Sequence, residues 1–373
     1  MFNPNYILIV FGLCTLLLAS CTGFFEAFQP IGTGGLGDTV LPDAGAEAVM
    51  QFTAEPFFTP TELPPTGPPV ISAENSTRVA MIDIIEVANP FKIKWSPDGE
   101  TIAVQTVEGI NLYNVETLQM TASIAIGAGM LLDYSTASNM IAVTQDQENI
   151  ELRSINDAQL IRTLKLTEMS LGASFSQDGR YLAVASAESI SVSIWDTSNG
   201  QQLTILSGFQ TAAPVYGATF ARDGKHIIWQ SRATLQVLDI STRQYGEVLS
   251  HEEFVAGVAL SPDGKMLAAG SAAMLNTDYK GIVQLWDPKD GSPLGALVTG
   301  DSIAQSVDFS PDGDLVAAGA GNILILWDAE TQQELVKRLD HFESINSIAF
   351  SPDGTVIATA GADNTVRLYE SHW

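Results

Sequence analysis

Only a few residues in this chain have the types and spacing that catalysis or ligation would need. Gly32-Thr33-Gly34-Gly35-Leu36-Gly37 has the glycine density of a phosphate-cradling loop. No strand-like run precedes it, no helical pattern follows it, and no Lys-Ser or Lys-Thr completes it, so it reads as linker. The chain has no Gly-x-Ser-x-Gly, the strained elbow that exposes a serine nucleophile. Its four histidines, at 226, 251, 341 and 372, stand at no metal-ligand spacing from one another. Asn276-Thr277-Asp278-Tyr279-Lys280-Gly281, with Asp287 beyond it, has the outline of a calcium loop. Lys280 stands where an oxygen ligand belongs, so the run reads as a lengthened connection between two strands. The expectation is a non-enzyme with no catalytic, metal-binding or cofactor-binding residues.

The elements that position the remaining residues are set by a phrase that returns about every 40 residues, the signature of a repeat architecture. Trp95-Ser96-Pro97-Asp98-Gly99 is followed by Phe175-Ser176-Gln177-Asp178-Gly179, Phe220-Ala221-Arg222-Asp223-Gly224 and Leu260-Ser261-Pro262-Asp263-Gly264. Phe309-Ser310-Pro311-Asp312-Gly313 and Phe350-Ser351-Pro352-Asp353-Gly354 close the series, and a degenerate copy lies at Asp133-Tyr134-Ser135-Thr136-Ala137-Ser138. Pro presets φ, Asp bonds the backbone ahead and Gly accepts positive φ, so each phrase is a hairpin turn between apolar, β-rich runs. A third run closes on Ile194-Trp195-Asp196, Leu285-Trp286-Asp287 or Leu326-Trp327-Asp328, with weaker copies elsewhere, and a polar turn leads to a fourth. Four short strands per repeat make a propeller blade. The last repeat ends after its third strand, whereas Val79 to Val87 is an apolar run without a repeat of its own. That run is expected to supply the missing outer strand and close the ring.

The Trp-Asp dipeptide, the Ser-Pro-Asp-Gly turn and their spacing together resemble the WD-repeat family over roughly residues 79–373. The resemblance implies an all-β, seven-bladed propeller of four-stranded blades that works as a protein-interaction scaffold. Family blades often carry a buried His, Ser/Thr, Asp and Trp network. Only the last repeat approaches it, with His341, Thr359 and Asp363, and there Tyr369 replaces Trp; the repeat beginning at His251 has Ala269 in the hydroxyl position. Most blades are therefore expected to be held by apolar packing. In this family the loops entering each innermost strand, and those between second and third strands, line the face that receives partners. Here they place Phe91, Phe209, Phe254, Tyr279 and Phe342 on that face, either as outward anchors with a polar rim or turned inward to cap the channel.

Residues 1–21 are of another kind. Tyr6 to Leu18 is an apolar stretch of signal-peptide length, too short for a comfortable membrane span. It ends in Leu18-Ala19-Ser20-Cys21, which resembles the lipobox of bacterial lipoproteins and implies lipidation at Cys21, although residues 1–6 contain no Lys or Arg. Cys14 and Cys21 are the only cysteines, so a chain cleaved before Cys21 would hold no intramolecular disulfide. Residues 22–76, with seven acidic residues and no Lys or Arg, read as an acidic Pro/Gly/Thr-rich tether, and 77–373 as the propeller. The formal charge of −26 opposes contact with phosphate backbones, so nucleic acid is not an expected partner. The expectation is a scaffold in the cell envelope, anchored by lipid and facing outside the cytoplasm, with partner proteins of unspecified identity. Its rivals are a sensor for a sugar or peptide and a propeller-type hydrolase or lyase using the channel mouth.

Overall fold

The computed structural model describes residues 69–371, apart from 126–129, 145–147, 169, 187–189, 208, 210–216 and 276–277. The expected signal peptide, Cys21 and most of the tether lie outside the described residues.

Each hairpin phrase folds through its own side chains. Ser96 Oγ donates to Asp98 Oδ1 at 2.5 Å and accepts the Thr101 N–H at 2.9 Å. The same exchange recurs at Ser176, Ser261, Ser310 and Ser351. Gly99, at φ 75°, closes the turn onto the Ser96 carbonyl, a backbone conformation that a β-carbon would strain. The Asp of Trp-Asp works in the same way at the next turn, where Asp196 Oδ1 accepts the Ser198 N–H at 2.8 Å. These carboxylates satisfy backbone donors that the reversing chain would otherwise leave unpaired.

The strands assemble into seven antiparallel sheets. Their innermost strands are Lys92–Trp95, Met130–Ser135, Ser170–Phe175, Gly217–Phe220, Gly257–Leu260, Ala304–Phe309 and Ile345–Phe350, which define blades 1 to 7. Six blades run outward in chain order, and blade 4 has its outer edge split into Gln244–Tyr245 and Leu249–Ser250. The seventh is completed as expected: Val79–Glu86 pairs antiparallel with Thr365–Ser371, from Val79 opposite Ser371 to Glu86 opposite Thr365. The chain is an all-β propeller of seven blades.

The core lies between blades rather than within them. One apolar cluster joins Ala183, Ile194 and Leu206 of blade 3 to Phe220, Ile227 and Trp229 of blade 4, and comparable clusters fill the other seams. At the closing seam, Ile85 and Val87 join Val366 and Leu368 against Ile93 and Ile102 of blade 1. Residues 69–76, read from the sequence as the end of the tether, belong to the ring. Ile71 is wholly buried among Leu315, Leu326 and Phe350, and its N–H donates to the Gly354 carbonyl at 3.0 Å. Asn75 accepts the Ser72 N–H and donates to the Val70 carbonyl, holding this stretch in shape.

Deleting residues 79–87 should abolish cooperative unfolding of the whole ring. Ile71→Ala should destabilise it by about 2–5 kcal/mol, the range for buried large-to-small changes. Chemical denaturation checks both, and an unchanged transition in either variant would remove its segment from the closing seam.

Candidate functional site

The chain enters every innermost strand from one end of the ring, and the second strand turns into the third at that same end. Phe91, Phe254 and Phe342 precede the innermost strands of blades 1, 5 and 7. Tyr279 lies near the tip of the hairpin formed by Leu267–Leu275 and Asp278–Trp286 in blade 5. Asp278 to Gly281 of the run read from the sequence as a lengthened connection lie within the third strand, paired with Leu275 to Ala272, and Lys280 is engaged in an ion pair with Asp301.

The five aromatics expected on this face divide. Phe342 is 85% exposed, Tyr279 52% and Phe254 38%, while Phe91 is half-buried. Phe209 is only 6% exposed, which corrects the outward reading for that residue. Its ring stacks on Trp229 at 5.0 Å and meets Tyr245 edge-on at 5.2 Å. The small side chains of Ala183, Ala185 and Ala218 leave room for it between blades 3 and 4. Filling that space gains more than an exposed ring would.

Phe342 stands on a buried polar base. Its N–H donates to Asp363 Oδ2 at 3.0 Å, and its ring lies 5.4 Å from the Arg367 guanidinium. Arg367 is buried; it donates to Asp363 Oδ2 and Thr365 Oγ1, both at 3.1 Å, and to the Asp340 carbonyl. Burial disfavours the Asp363 carboxylate, but bonds from Thr365, the Phe342 N–H and His341 prevail and hold it at about 2. His341 Nδ1 lies 3.1 Å from that carboxylate and its Nε2 lies 2.6 Å from Thr359 Oγ1; burial pushes the imidazole below its ordinary value. Tyr369 is wholly buried in the adjoining core, and among the described residues its hydroxyl, near Thr359, has no hydrogen-bond partner in good geometry. The polar network of blade 7 thus joins His341, Thr359 and Asp363, takes in Arg367 and leaves the Tyr369 hydroxyl outside it.

In blade 5, where Ala269 replaces the hydroxyl, the Trp286 indole N–H donates straight to His251 Nε2 at 3.2 Å. Burial lowers the His251 imidazole to about 4, so at neutral pH it is an uncharged acceptor.

A charged cluster inside the ring was not anticipated from the sequence. Asp133 has no exposed surface and takes Lys94 Nζ at 2.7 Å, Lys92 Nζ at 3.1 Å and the Phe175 N–H at 2.9 Å. Burial pushes the Asp133 carboxyl up, but the two lysines outweigh it and bring it to about 2; burial lowers Lys94 to about 8. Asp308 repeats one part of this, accepting the Phe350 N–H at 2.9 Å, while Arg222 of blade 4 donates to the Phe309 and Phe350 carbonyls. Each Asp stands one residue before an aromatic near the end of its innermost strand and bonds the following blade, so the cluster ties blades together. The usable signal was an acid at a repeat position that holds Lys, Ser, Thr or Ala elsewhere. Among the described residues, no three His, Cys, Asp or Glu side chains gather as a metal site.

Comparison with known proteins agrees with this geometry. Residues 243–287, 292–328 and 333–370 match the family model of the WD domain, G-beta repeat. The chain is similar to protein HIR1 of Kluyveromyces lactis, 28% identical across 42% of this chain and 20% of that protein. It is also similar to the WD repeat-containing protein slp1 of Schizosaccharomyces pombe, 23% identical across 54% and 40%. Eukaryotic translation initiation factor 3 subunit I of Bos taurus is 26% identical across 53% and 62%. The chain thus spans between a fifth and under two-thirds of the length of these relatives.

Two expectations separate core from surface on this face. Phe209→Ala should cost about 3–5 kcal/mol of stability, whereas Phe342→Ala should stay within about 0.5 kcal/mol of the parent; equal effects in urea titrations would contradict the assignment. His251 titrates at about 4 in the folded chain against an ordinary 6.5. Between those values the unfolded chain binds the extra proton, so this contribution is complete above about pH 6.5 and lost as pH falls through about 4. The stability difference between parent and His251→Gln should therefore shrink on acidification. A pH-independent difference would show that His251 does not titrate there.

Proposed function

We propose that this chain, whose residues 243–287, 292–328 and 333–370 match the WD domain, G-beta repeat model, is a protein-interaction platform whose partner docks on the loop-bearing end of blades 5, 6, 7 and 1. The observation that carries this reading is Phe342. Burying a ring of this size is worth about 1.5–3 kcal/mol, yet the fold leaves it in water and fixes its backbone to buried Asp363. An anchor already held in place loses little freedom on binding, which is how a few aromatic residues come to dominate an interface. Tyr279, Phe254 and the half-buried Phe91 extend the same surface. The WD-repeat match supports the reading, since scaffolding of protein partners is the role typical of that family.

We further propose that the ring is held at a membrane outside the cytoplasm by acyl chains on Cys21. The support is the run Leu18-Ala19-Ser20-Cys21 after an apolar stretch from Tyr6, with acidic, Pro-rich sequence between it and the ring. Several acyl chains anchor stably, because each buried methylene contributes roughly 0.8 kcal/mol and a single chain is marginal. The eukaryotic relatives named above add no support for the anchor, which rests on residues 6–21 alone.

The test uses the full chain in intact cells, with a photocrosslinking residue at position 342 and, as a control, at 205 on an outer strand. A discrete protein adduct at 342 and none at 205, lost when Phe254→Ala and Tyr279→Ala are added to the chain carrying the crosslinker at 342 with unchanged unfolding, is the expected result. Adducts of equal yield at both positions would sink the platform. Labelled fatty acid should enter the parent and not Cys21→Ser; equal labelling of the two would remove the anchor.

A further inference from the structure

Several exposed apolar side chains in the described loops lie along one arc. Phe254 and Tyr279 of blade 5, Ile303 of blade 6, Leu339 and Phe342 of blade 7 and Val107 of blade 1 are all exposed at the loop-bearing end of four consecutive blades. Most other exposed large apolar residues, such as Met120, Leu160 and Ile205, lie singly on outer strands, where scattered exposure is ordinary.

The exposed charge directly beside these side chains is mostly acidic. Glu252 and Glu253 precede Phe254, Asp301, paired with Lys280, lies two residues before Ile303, Glu343 follows Phe342, and Glu108 follows Val107; all five acids are exposed. Three cations near these loops are committed, whereas Arg232, whose carbonyl accepts the Val255 N–H, and Lys337 stand exposed at the edges of the arc. Lys280 pairs with Asp301, Arg367 is buried against Asp363, and Lys92 reaches Asp133. The Tyr279 hydroxyl donates to Glu253 Oε1 at 3.1 Å, so even this ring is edged by carboxylate.

This combination selects among occupants. A second copy of the chain, at −26, would bring more negative charge to the same surface. The chain's own residues 22–68 offer apolar groups such as Phe24, Phe25 and Phe28, but they carry acids and no Lys or Arg. Anionic lipid and nucleic acid are disfavoured for the same reason. The groups that satisfy both features of the arc are apolar anchors on a cationic backbone of charge. Resting on the platform reading above, we infer that the arc across blades 5, 6, 7 and 1 receives a cationic polypeptide segment bearing aromatic or aliphatic anchors. Its rings seat among Phe254, Tyr279, Ile303 and Phe342, and its Lys or Arg side chains meet the surrounding carboxylates. The rim charges steer encounter and select the partner's sign, while the apolar anchors hold the complex once formed.

The test is selection from a random displayed-peptide library on the full-length chain in detergent, with Phe254→Ser, Phe342→Ser as the comparison surface. Urea unfolding of both proteins verifies that the comparison surface is folded. Enriched peptides should be net positive with at least one aromatic or large aliphatic residue, and should be lost on the comparison surface. The affinity of a synthesised representative should fall about tenfold or more when Glu252, Glu253 and Glu343 become Lys, and should weaken with added salt. Neutral or acidic peptides that are lost on the comparison surface would overturn the cationic assignment and leave the platform standing. Peptides that bind both surfaces equally, or no enrichment at all on the parent, would overturn the arc as a docking surface and the platform with it.

Discussion

Everything in this molecule depends on apolar seams between neighbouring sheets. A four-stranded sheet of short strands has two faces to cover, and here each is covered by the next blade, so no blade completes its own core. A row of such sheets would leave an open apolar face at each end. Ring closure removes both faces, and it falls to Val79–Glu86, which joins the last sheet while Ile85 and Val87 pack toward the first. Ile71 extends the same stitch to blade 6. The contact between the first strand of the ring and the last one therefore stabilises every seam, because each seam is maintained only while its neighbours hold the geometry.

Polar groups then act where apolar packing gives no direction. At the inner rim, Asp133 and Asp308 each bind a backbone N–H of the following blade, and Ser306 and Ser347 do the same for Ile348 and Ile93. These bonds fix the height of one innermost strand against the next, which hydrophobic contact, being non-directional, leaves free to slide. Blade 7 adds the His341, Thr359, Asp363 and Arg367 network directly beneath Phe342. The most exposed ring among the described residues of the loop-bearing end is thus built on a well-bonded polar site.

The repeat was legible in the sequence because its carriers are local. Ser96 to Thr101, or Asp196 to Ser198, are hydrogen bonds within a few residues, and the same residue types recur wherever the turn recurs. The missing strand was legible because counting strands per repeat leaves one short. Other features depended on distant partners. Phe209 and Phe342 occupy similar loop positions, and what separates them is the set of alanines at 183, 185 and 218, which opens a seam for one ring only. Asp133 stands in a visible register position, but Lys92 and Lys94, which hold it ionised in the ring, belong to another blade. Ile71 sits next to proline-rich sequence that reads as spacer, and only the groove between blades 6 and 7 makes it core.

The overall acidity takes on a different meaning once the turns are assigned. Asp98, Asp178, Asp263, Asp312 and Asp353 each accept bonds inside a hairpin, and Asp196, Asp239 and Asp328 do so after the third strand. Fold geometry alone accounts for those aspartates, whatever the protein binds. The carboxylates of Glu108, Glu252 and Glu343 have no such local duty, stand exposed, and border the apolar arc. Other exposed glutamates, such as Glu100, Glu116, Glu247, Glu330 and Glu334, lie away from the arc, so what bears on binding is the immediate proximity of Glu252, Glu253 and Glu343 to exposed rings rather than the number of such carboxylates.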